Sequence, residues 1–262
     1  MRIISYNDNT LPYLQGNITM KKILPLLLAL LLLCSGCGQA AAPAATPEPT
    51  PTPEPTPEPT PVPETTLTFI GHASVKIVAK DGSVLLIDPN YYKWDWENED
   101  PDVVLQTHVH DDHTPNFNLK MSDKCVYIKN SDCLHKGVYE SGDIGPFHIE
   151  AVPSGGNPNH DIRYVVGYIV TVDGVSVYHA GDCSLIEEMG NLTDRNIDYA
   201  LYPIDGIYNM DAVEATEAAN LVAAKHNIPI HDLDKEGEPP KSDNFTPEGR
   251  LVLAYGETIT IA

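Results

Sequence analysis

The segment Val103-Val104-Leu105-Gln106-Thr107-His108-Val109-His110-Asp111-Asp112-His113 joins an apolar strand to a dense group of histidines and aspartates. His108 and His110 stand two positions apart on extended backbone, so both side chains project to one side and can share one metal ion. Asp112 and His113 follow where the chain turns away, and they can reach a second ion. Such a cluster is costly to hold at a strand end unless something binds it. A solvent-exposed histidine-rich loop is the alternative, and the apolar strand before the cluster argues against it.

Short apolar runs separated by turn signals predict a sheet-rich domain on both sides of this segment. Lys80-Asp81-Gly82-Ser83 and Asp173-Gly174 each indicate the turn of a β-hairpin. The predicted strands cover residues 67–70, 74–78, 84–87, 103–106, 164–172, 175–178 and 228–230, with two more within 251–261. A helix is predicted over residues 212–225, where alanines recur at helical spacing. The pattern indicates one mixed α/β sandwich domain spanning residues 66–262.

Two further motifs precede the histidine-rich segment. Phe69-Ile70-Gly71-His72-Ala73-Ser74 comes first, and Leu86-Ile87-Asp88-Pro89 follows it. Together with the H-x-H-x-D-H pattern of residues 108–113, they resemble the metallo-β-lactamase superfamily, in the branch that includes ascorbate-6-phosphate lactonase-like proteins. The resemblance runs along the whole domain. It implies the family's α+β fold, a four-layer αββα sandwich of two mixed β-sheets flanked by helices.

Three later segments match the same family in its order. The family's third metal-site histidine, its bridging carboxylate and its last histidine fit His160, Asp182 and His231. The resemblance thus implies two metal sites that share Asp182, with His108, His110 and His160 in one and Asp112, His113 and His231 in the other. Because the segment around His160 is loop-like, His148 or His135 could compete for its place.

Four further residues lie in or beside these motifs, and we interpret each separately. Asp88 ends a strand, where it serves either a turn or, as we favour, the orientation of a ligand histidine through a hydrogen bond. The resemblance places His72, which lies in a Gly-flanked turn, near the metals, where it contacts substrate or orients a ligand; a plain turn role is the alternative. His179 is expected to be structural, and Cys183 either lines the site or packs in the core.

The implied activity is that of a metal-dependent hydrolase acting on a lactone, ester or phosphate-ester small molecule. Two divalent metal ions lower the pKa of a bridging water, so that hydroxide is available near neutral pH. Asp182 spans both ions, and Asp112 can hold the nucleophile or relay its proton. A histidine-rich set of nitrogen and oxygen ligands suits Zn²⁺, and the lactonase-like branch is also compatible with Mn²⁺ or Fe. The alternative is a surface protein that captures a ligand or metal without turnover, whose mark would be a degraded ligand set.

The charge of the chain bears on its partners. Its formal net charge of -21 over 262 residues repels polyanions, so no nucleic-acid partner is expected. The expected partner is therefore a small-molecule substrate. The acidity can also be explained as nothing more than a means of keeping a secreted domain soluble.

The first 65 residues indicate export and anchoring. Met20-Lys21-Lys22 and the apolar run at 23–33 are typical of a secretory signal, and the run is too short to span a bilayer comfortably. Ser35-Gly36-Cys37 resembles the lipobox of bacterial lipoproteins, although Cys34 stands where that motif usually has Leu. An ordinary signal peptide with an incidental Cys37 is the alternative.

These features predict four segments. They are an upstream extension at 1–19, a signal peptide at 20–36, a linker at 37–65 that begins with a lipid-modified Cys37, and the hydrolase domain. Proline at nearly every second position from 43 to 63 makes the linker an extended spacer, with a PxxP ligand as the minor alternative. The protein is therefore expected at the extracytoplasmic face of the cell membrane, touching the membrane through its lipid only. Recovery of peptides upstream of Cys37 from the mature protein would contradict this.

The cysteines and tryptophans of the domain leave alternatives open. Cys125 and Cys133 are close enough in sequence to pair, but a disulfide requires a specific geometry, and free buried thiols are equally compatible with the sequence. Trp94 and Trp96 form either an aromatic wall over the site or ordinary packing anchors.

Overall fold

The computed structural model describes residues 63–234 and 238–262. The predicted upstream extension, the signal peptide, Cys37 and the linker up to residue 62 lie outside these residues. Among the helices of the described part, none is long and apolar enough to cross a membrane.

The described residues form fourteen strands, two short α-helices and three 3-10 helices. In chain order the strands are β1 (Thr66–Gly71), β2 (Ser74–Val78), β3 (Val84–Ile87), β4 (Val103–Gln106), β5 (Val126–Lys129), β6 (Leu134–His135), β7 (Val138–Tyr139), β8 (Ser141–Ile144), β9 (Phe147–Pro153), β10 (Val166–Val172), β11 (Val175–His179), β12 (Tyr199–Pro203), β13 (His226–Ile230) and β14 (Glu257–Thr260). The α-helices are α1 (Asn130–Cys133) and α2 (Ala212–Val222). The 3-10 helices are Trp96–Asn98, Glu187–Arg195 and Lys241–Asn244.

Two six-stranded mixed sheets carry the fold. The first has the order β14-β1-β2-β3-β4-β5, and the second has the order β13-β12-β11-β10-β9-β8. In the first sheet β3, β4 and β5 are parallel, and in the second β11, β12 and β13 are parallel. The remaining neighbours are antiparallel, including the two predicted hairpins β2–β3 and β10–β11. The described residues thus form the predicted α+β sandwich of two mixed sheets.

One apolar core lies between the two sheets. It is built by alternate side chains of each strand, such as Val75 and Ile77 from β2 and Tyr168 and Val170 from β10. The opposite face of the second sheet packs against α2 and the 3-10 helix Glu187–Arg195. The opposite face of the first sheet is covered more thinly, by loop residues such as Leu119 and by Trp96 of the 3-10 helix.

The predicted helix is shorter than its sequence pattern indicates. It begins after Asp211, whose carboxylate accepts hydrogen bonds from the backbone N–H groups of Val213 and Glu214. It ends at Val222, because Ala223 adopts a left-handed conformation and donates its N–H to the Ala219 carbonyl. The prediction that it continues to residue 225 is wrong.

The ends of the predicted strands also needed correction. The chain turns at Tyr164, so β10 begins at Val166 rather than at residue 164. Only β14 forms within 251–261, where two strands were predicted. The segment at Leu251 instead makes a single bridge at the edge of β13, with its N–H donating to the Asn227 carbonyl over 2.8 Å.

The three cysteines of the described residues are free thiols. Cys133 is buried in the core between the sheets, with its Sγ 3.5 Å from the Tyr168 hydroxyl. Cys125 lies at the other face of the first sheet, beside Trp96. The two sulfurs therefore belong to different clusters, and the pairing left open by the sequence does not form. Cys183 packs in the core under α2.

Candidate metal centre

The carboxyl ends of several strands meet at one edge of the sandwich, where ligands of α/β sheets characteristically bind. Asp88 follows β3, and His108 comes two residues after β4. Asp182 follows β11, and His231 follows β13. Residues distant in sequence are thus brought together because their strands end side by side.

Three histidines form the first group of ligand atoms, which we call the imidazole group: His108, His110 and His160. His108 Nε2 lies 3.0 Å from His110 Nδ1, and His160 Nε2 lies 3.2 Å from that same nitrogen. His108 and His160 are buried, whereas His110 is exposed to solvent. The three nitrogens converge on one point at the surface.

A second group contains a carboxylate, and we call it the mixed group: Asp112, His113 and His231. His113 Nε2 and His231 Nε2 each lie 3.8 Å from Asp112 Oδ2. Both histidines are buried, while Asp112 is half exposed. His72 joins this group, since its Nε2 lies 3.0 Å from Asp112 Oδ2 and its ring packs against that of His231 at 3.7 Å between centroids.

Asp182 connects the two groups. Its Oδ1 lies 3.3 Å from His113 Nε2. Its Oδ2 lies 3.3 Å from His160 Nε2 and 3.5 Å from His231 Nε2. One buried carboxylate therefore touches a histidine of the imidazole group and both histidines of the mixed group, as a ligand shared by two cations must.

The donor set fits a cation in each group. Tetrahedral Zn²⁺ with Zn–N bonds of about 2.0–2.1 Å places neighbouring nitrogens roughly 3.3 Å apart, which is close to the spacing within the imidazole group. Two histidine nitrogens of the mixed group, His113 Nε2 and His231 Nε2, are buried and accept or donate no hydrogen bond among the described residues. A buried polar atom without a partner is rare and calls for an unseen one. A cation in the mixed group would supply it for both.

Asp88 and Thr107 hold two of the histidines in the required orientation. His113 Nδ1 donates to Asp88 Oδ2 over 2.7 Å, which leaves His113 Nε2 free to face the site. The Thr107 hydroxyl donates to the same carboxylate over 2.7 Å and lies 3.0 Å from His108 Nδ1. Because that hydroxyl proton is already used, His108 Nδ1 must be the donor, and its Nε2 carries the lone pair. Asp88 itself is fully buried.

Asp205 performs a similar task and was missed from the sequence. Its Oδ2 lies 3.1 Å from His231 Nδ1, and its Oδ1 accepts hydrogen bonds of 2.7 Å from the N–H groups of Ile207 and Tyr208. It comes two residues after β12, a position equivalent to that of the other site carboxylates. That strand end was the available signal, and β12 itself was not predicted.

Carboxylate–histidine pairs of this kind fix the tautomer of a metal ligand and raise its basicity. Asp88 does so for His113 through a hydrogen bond, whereas Asp205 lies 3.1 Å from His231 Nδ1 and contacts that ring without hydrogen-bond geometry. Both pairs act on the mixed group.

The backbone is strained at the site. His72, Asp88 and His231 all have positive φ, at 55°, 45° and 50°, although none is a glycine. Such conformations cost on the order of 1–3 kcal/mol each and persist where the surrounding structure enforces them. Their clustering beside the ligand groups is typical of a functional site.

Glycines allow two close approaches there. A side chain on Gly181, the residue before Asp182, would come within 2.9 Å of the Val166 carbonyl oxygen. A side chain on Gly155 would come within 2.5 Å of the His160 carbonyl oxygen. Asn157 completes this second loop, because its side chain accepts the His160 N–H over 2.9 Å.

Burial and charge set the protonation of the two groups in opposite directions. Burial and the charge of His113 lower the pKa of His108 to about 3. Burial opposes the charged form of His231 as well, but Asp182 and Asp112 outweigh it and raise its pKa to about 9. At His113 the carboxylates of Asp182 and Asp88 likewise outweigh burial and raise the pKa well above its usual value. The effect of burial on Asp182 is in turn outweighed by His113 and His231, which hold its pKa well below the ordinary range.

A cavity of about 370 Å³ opens onto both groups. Among the described residues its lining consists of His110, Asp112, Asn159, His160, Asp182, Tyr208 and His231. A larger cavity, of about 810 Å³, lies beside α1 and the β6–β7 hairpin and touches none of the predicted site residues. The smaller cavity is therefore the one that belongs to the candidate centre.

The remaining candidates lie elsewhere. His148 bonds to Asp143 on the surface over 2.6 Å, and His135 is exposed on β6, so neither reaches the imidazole group. His179 is buried and contacts the Ala73 carbonyl at 2.9 Å, as expected for a structural residue. Trp96 is buried against the first sheet, with its Nε1 donating to the Tyr91 carbonyl, and it belongs to the core rather than to the cavity wall.

Comparisons with known proteins agree with this architecture. Residues 66–231 match the family described as "Beta-lactamase superfamily domain". A UPF0173 metal-dependent hydrolase of Methanoregula boonei is 32% identical over 218 residues, which cover 74% of this chain and 97% of the relative. A second protein of that name, from Pyrococcus furiosus, is 31% identical over 192 residues, covering 63% of this chain and 83% of the relative.

Solved structures show the same fold. A metallo hydrolase from the hyperthermophilic archaeon Ignicoccus hospitalis superposes with a TM-score of 0.59 at 22% identity, covering 76% of this chain and 98% of that one. At that identity the likeness concerns the fold, and it confirms the predicted metallo-β-lactamase sandwich.

Proposed function

The chain belongs to the β-lactamase superfamily and, within it, to the UPF0173 metal-dependent hydrolases, and from this premise we propose that it hydrolyses an ester, lactone or phosphate-ester bond in a small molecule with two divalent cations. The observation that carries the proposal is the sharing of Asp182. Its two carboxylate oxygens contact histidines of both ligand groups at 3.3–3.5 Å. Seven side chains, from residues 108–113 and three later segments, fall within overlapping groups that could each hold a cation, which supports this proposal.

When bound, a pair of divalent cations supplies a water acidic enough to act as nucleophile and a Lewis acid for the oxygen on which charge develops. The seven ligand residues proposed for these cations are His108, His110, Asp112, His113, His160, Asp182 and His231. We favour Zn²⁺, because histidine-rich mixed ligands suit it, with Mn²⁺ or Fe as the other candidates.

The chain's own residues orient the reactants. Asp112 is the most exposed carboxylate of the centre and lines the cavity, so it can hold the attacking water and accept its proton. His72 contacts the Asp112 Oδ2 atom at 3.0 Å and holds that carboxylate in place. Asp88 and Asp205 fix the rings of His113 and His231 from behind. Buried histidines held in this way are preorganised, which is what transition-state stabilisation requires.

Metal content and activity test the proposal together. The purified protein is loaded with Zn²⁺, Mn²⁺ or Fe²⁺, its metal is counted by mass spectrometry, and it is assayed on neutral esters, lactones, phosphodiesters and β-lactams. We expect about two ions per chain and turnover of at least one carbonyl or phosphate ester. His110→Ala should abolish turnover, whereas His135→Ala, which changes an exposed histidine outside the site, should not.

The alternative function predicts a different outcome. A protein that only captures a metal or ligand would hold one tight ion or none and would turn over no substrate. The hydrolase proposal would be overturned if the protein hydrolysed none of the four substrate classes, whether it held two ions or fewer, and if His110→Ala made no difference.

We further propose that Cys37 carries a lipid and that the enzyme is held at the extracytoplasmic face of the membrane. The sequence Ser35-Gly36-Cys37 after an apolar run supports this. Cys37→Ser should then release the protein from the membrane fraction.

A further inference from the structure

We propose that the site selects an uncharged carbonyl compound carrying an apolar group and discriminates against substrates that bear a phosphate or another anionic group. The inference deepens the proposed function and rests on it. It narrows the substrate class from esters in general to neutral esters and lactones.

The first step concerns the charge of the cavity. Its described lining contains two carboxylates, three histidines, Asn159 and Tyr208, but neither lysine nor arginine. Phosphate and carboxylate groups are recognised in proteins by arginine or lysine donors, by the N-terminus of a helix or by bound metal ions. The described lining of this cavity therefore offers no lysine or arginine donor that could bind a phosphate or carboxylate.

The second step concerns two described cations that follow His160 and His231 in the sequence, Arg163 and Lys241. Arg163 is engaged by Asp161, with its Nε 2.9 and 3.0 Å from the two carboxylate oxygens. Lys241 is engaged by two backbone carbonyls, those of Asp232 and Leu233. Both side chains are therefore occupied. Lys235 lies outside the described residues and is included in the test below.

The third step concerns the charge of the centre itself. Four carboxylates lie at or directly behind the ligand groups: Asp88, Asp112, Asp182 and Asp205. Four negative charges balance the four positive charges of two divalent cations, so the loaded centre has no net charge with which to attract an anion. The remaining field is that of a chain whose formal net charge is -21, and that field repels anions.

The fourth step concerns the rim. Val109 and Ile207 are 67% and 59% exposed, and each is the sequence neighbour of a lining residue, His110 or Tyr208; we define these side chains and Tyr208 as the rim. Tyr208, which lines the cavity, is also half exposed. It is against these side chains that the apolar group of the proposed substrate would pack.

Hydrogen bonds hold the backbone of the rim residues Ile207 and Tyr208 in place. The N–H groups of Ile207 and Tyr208 both donate to Asp205 Oδ1, and the Tyr208 carbonyl accepts from Asn157 Nδ2 over 3.1 Å. The carboxylate that contacts His231 thus also positions the apolar rim. Acyl-chain recognition and the reacting centre are connected through one residue.

A matched pair of esters tests the charge preference. 4-Nitrophenyl butyrate and mono-4-nitrophenyl succinate have acyl chains of the same number of carbons, and only the second ends in a carboxylate. At 10 mM NaCl we expect kcat/KM to be about tenfold or more higher for the butyrate. The ratio should shrink at 300 mM NaCl, because the screening length falls from about 30 Å to less than 10 Å. The Lys235→Met variant should leave the ratio unchanged.

A second series tests the apolar rim. From acetate to hexanoate esters we expect kcat/KM to rise about two- to fourfold per added methylene, as partial to full burial of each group predicts. Ile207→Ser should flatten this rise. Val138→Ser is the matched control, since Val138 is equally exposed at 59% on the β6–β7 hairpin, and it should preserve the rise.

Binding without turnover separates this inference from the hydrolase proposal. N-(4-nitrophenyl)butanamide and its succinamic acid analogue are uncleaved counterparts of the two esters, and their binding to the Zn²⁺-loaded protein can be followed by saturation-transfer NMR. Tighter binding of the neutral amide supports charge selection even if no ester is hydrolysed. Hydrolysis of both esters at equal rates, or a preference for the anion that Lys235→Met removes, overturns the inference while the hydrolase proposal stands.

Discussion

The imidazole group and the mixed group adjoin the same carboxylate, Asp182, but differ in charge. In the imidazole group, burial lowers the pKa of His108 to about 3 and also lowers that of His160. In the mixed group, burial is outweighed by carboxylates, which raise the pKa of His231 to about 9 and that of His113 well above its ordinary value. Burial thus favours the neutral form of His108 and His160, whereas nearby carboxylates favour the protonated form of His231 and His113.

The difference follows from the residues behind each group. His108 is backed by the Thr107 hydroxyl, which carries no charge. His113 and His231 are backed by Asp88 and Asp205, which are both buried. The mixed group therefore gives a cation more negative charge, but the cation must displace protons in order to bind.

Removal of the shared carboxylate should have the largest effect. In Asp182→Asn both groups lose their common negative ligand, so we expect metal content to fall at both sites and turnover to fall to the limit of detection. Metal counting by mass spectrometry and activity assays measure the two effects. Asp143→Asn is the control, because Asp143 contacts a surface histidine at 2.6 Å and lies outside the site.

Loss of only one ion in Asp182→Asn would contradict the sharing of this residue. Thermal melting of the metal-free variant checks that it still folds, since Asp182 is buried and its charge is balanced by the two histidines of the mixed group.

The parts of this site that were predictable from the sequence are the local ones. The pattern of residues 108–113 places two histidines on one side of an extended chain, and β2, β3 and β4 have the predicted bounds because each is an apolar run ended by a turn signal. His160, Asp182 and His231 were expected from the resemblance to a family, since nothing near them in sequence indicates what they face. The structure brings all three to the centre.

The parts that could not be predicted depend on distant neighbours. The strand β8, Ser141–Ile144, is polar and short, and it is a strand only because it pairs with β9 at the edge of the second sheet. The contact between Asp205 and His231 joins residues on two separate strand ends, and no local motif encodes it. Pairings across the sandwich are set by packing rather than by the sequence nearby.

The effect of Asp205→Asn should be smaller and confined to one group. Loss of the carboxylate behind His231 lowers the basicity of that ligand, so we expect affinity for one ion to fall about 10- to 100-fold while the other ion stays bound. Isothermal titration of the metal-free protein with Zn²⁺ resolves the two steps. Asp198→Asn is the matched control, because Asp198 is a similarly buried carboxylate that pairs with Lys225 far along the strand from the site.

Equal weakening of both binding steps in Asp205→Asn would show that the two groups act as one unit. Unchanged affinity for both ions would mean that Asp205 serves only the loop that contains Ile207 and Tyr208.

The smallest effect is a pH dependence of the metal-free protein. Because the pKa of His231 is raised to about 9 in the folded state, its protonated form stabilises the fold fully below its ordinary value near 6.5, and this stabilisation is lost as the pH rises through 9. His113 changes stability in the same direction. We therefore expect the Tm of the metal-free chain to fall by a few degrees between pH 6.5 and 9, as about 1 kcal/mol does in a domain of this size.

The Zn²⁺-loaded chain should not show this decline, because cations replace the protons of the mixed group and bind more tightly as the pH rises. His108 of the imidazole group should not add to this decline, since burial lowers its pKa to about 3 and it stays neutral in the folded chain over this range. Scanning calorimetry of both forms measures the difference. A Tm that rises with pH in the metal-free chain would mean that the mixed group holds no protons, and the contrast between the two groups would then reduce to ligand type alone.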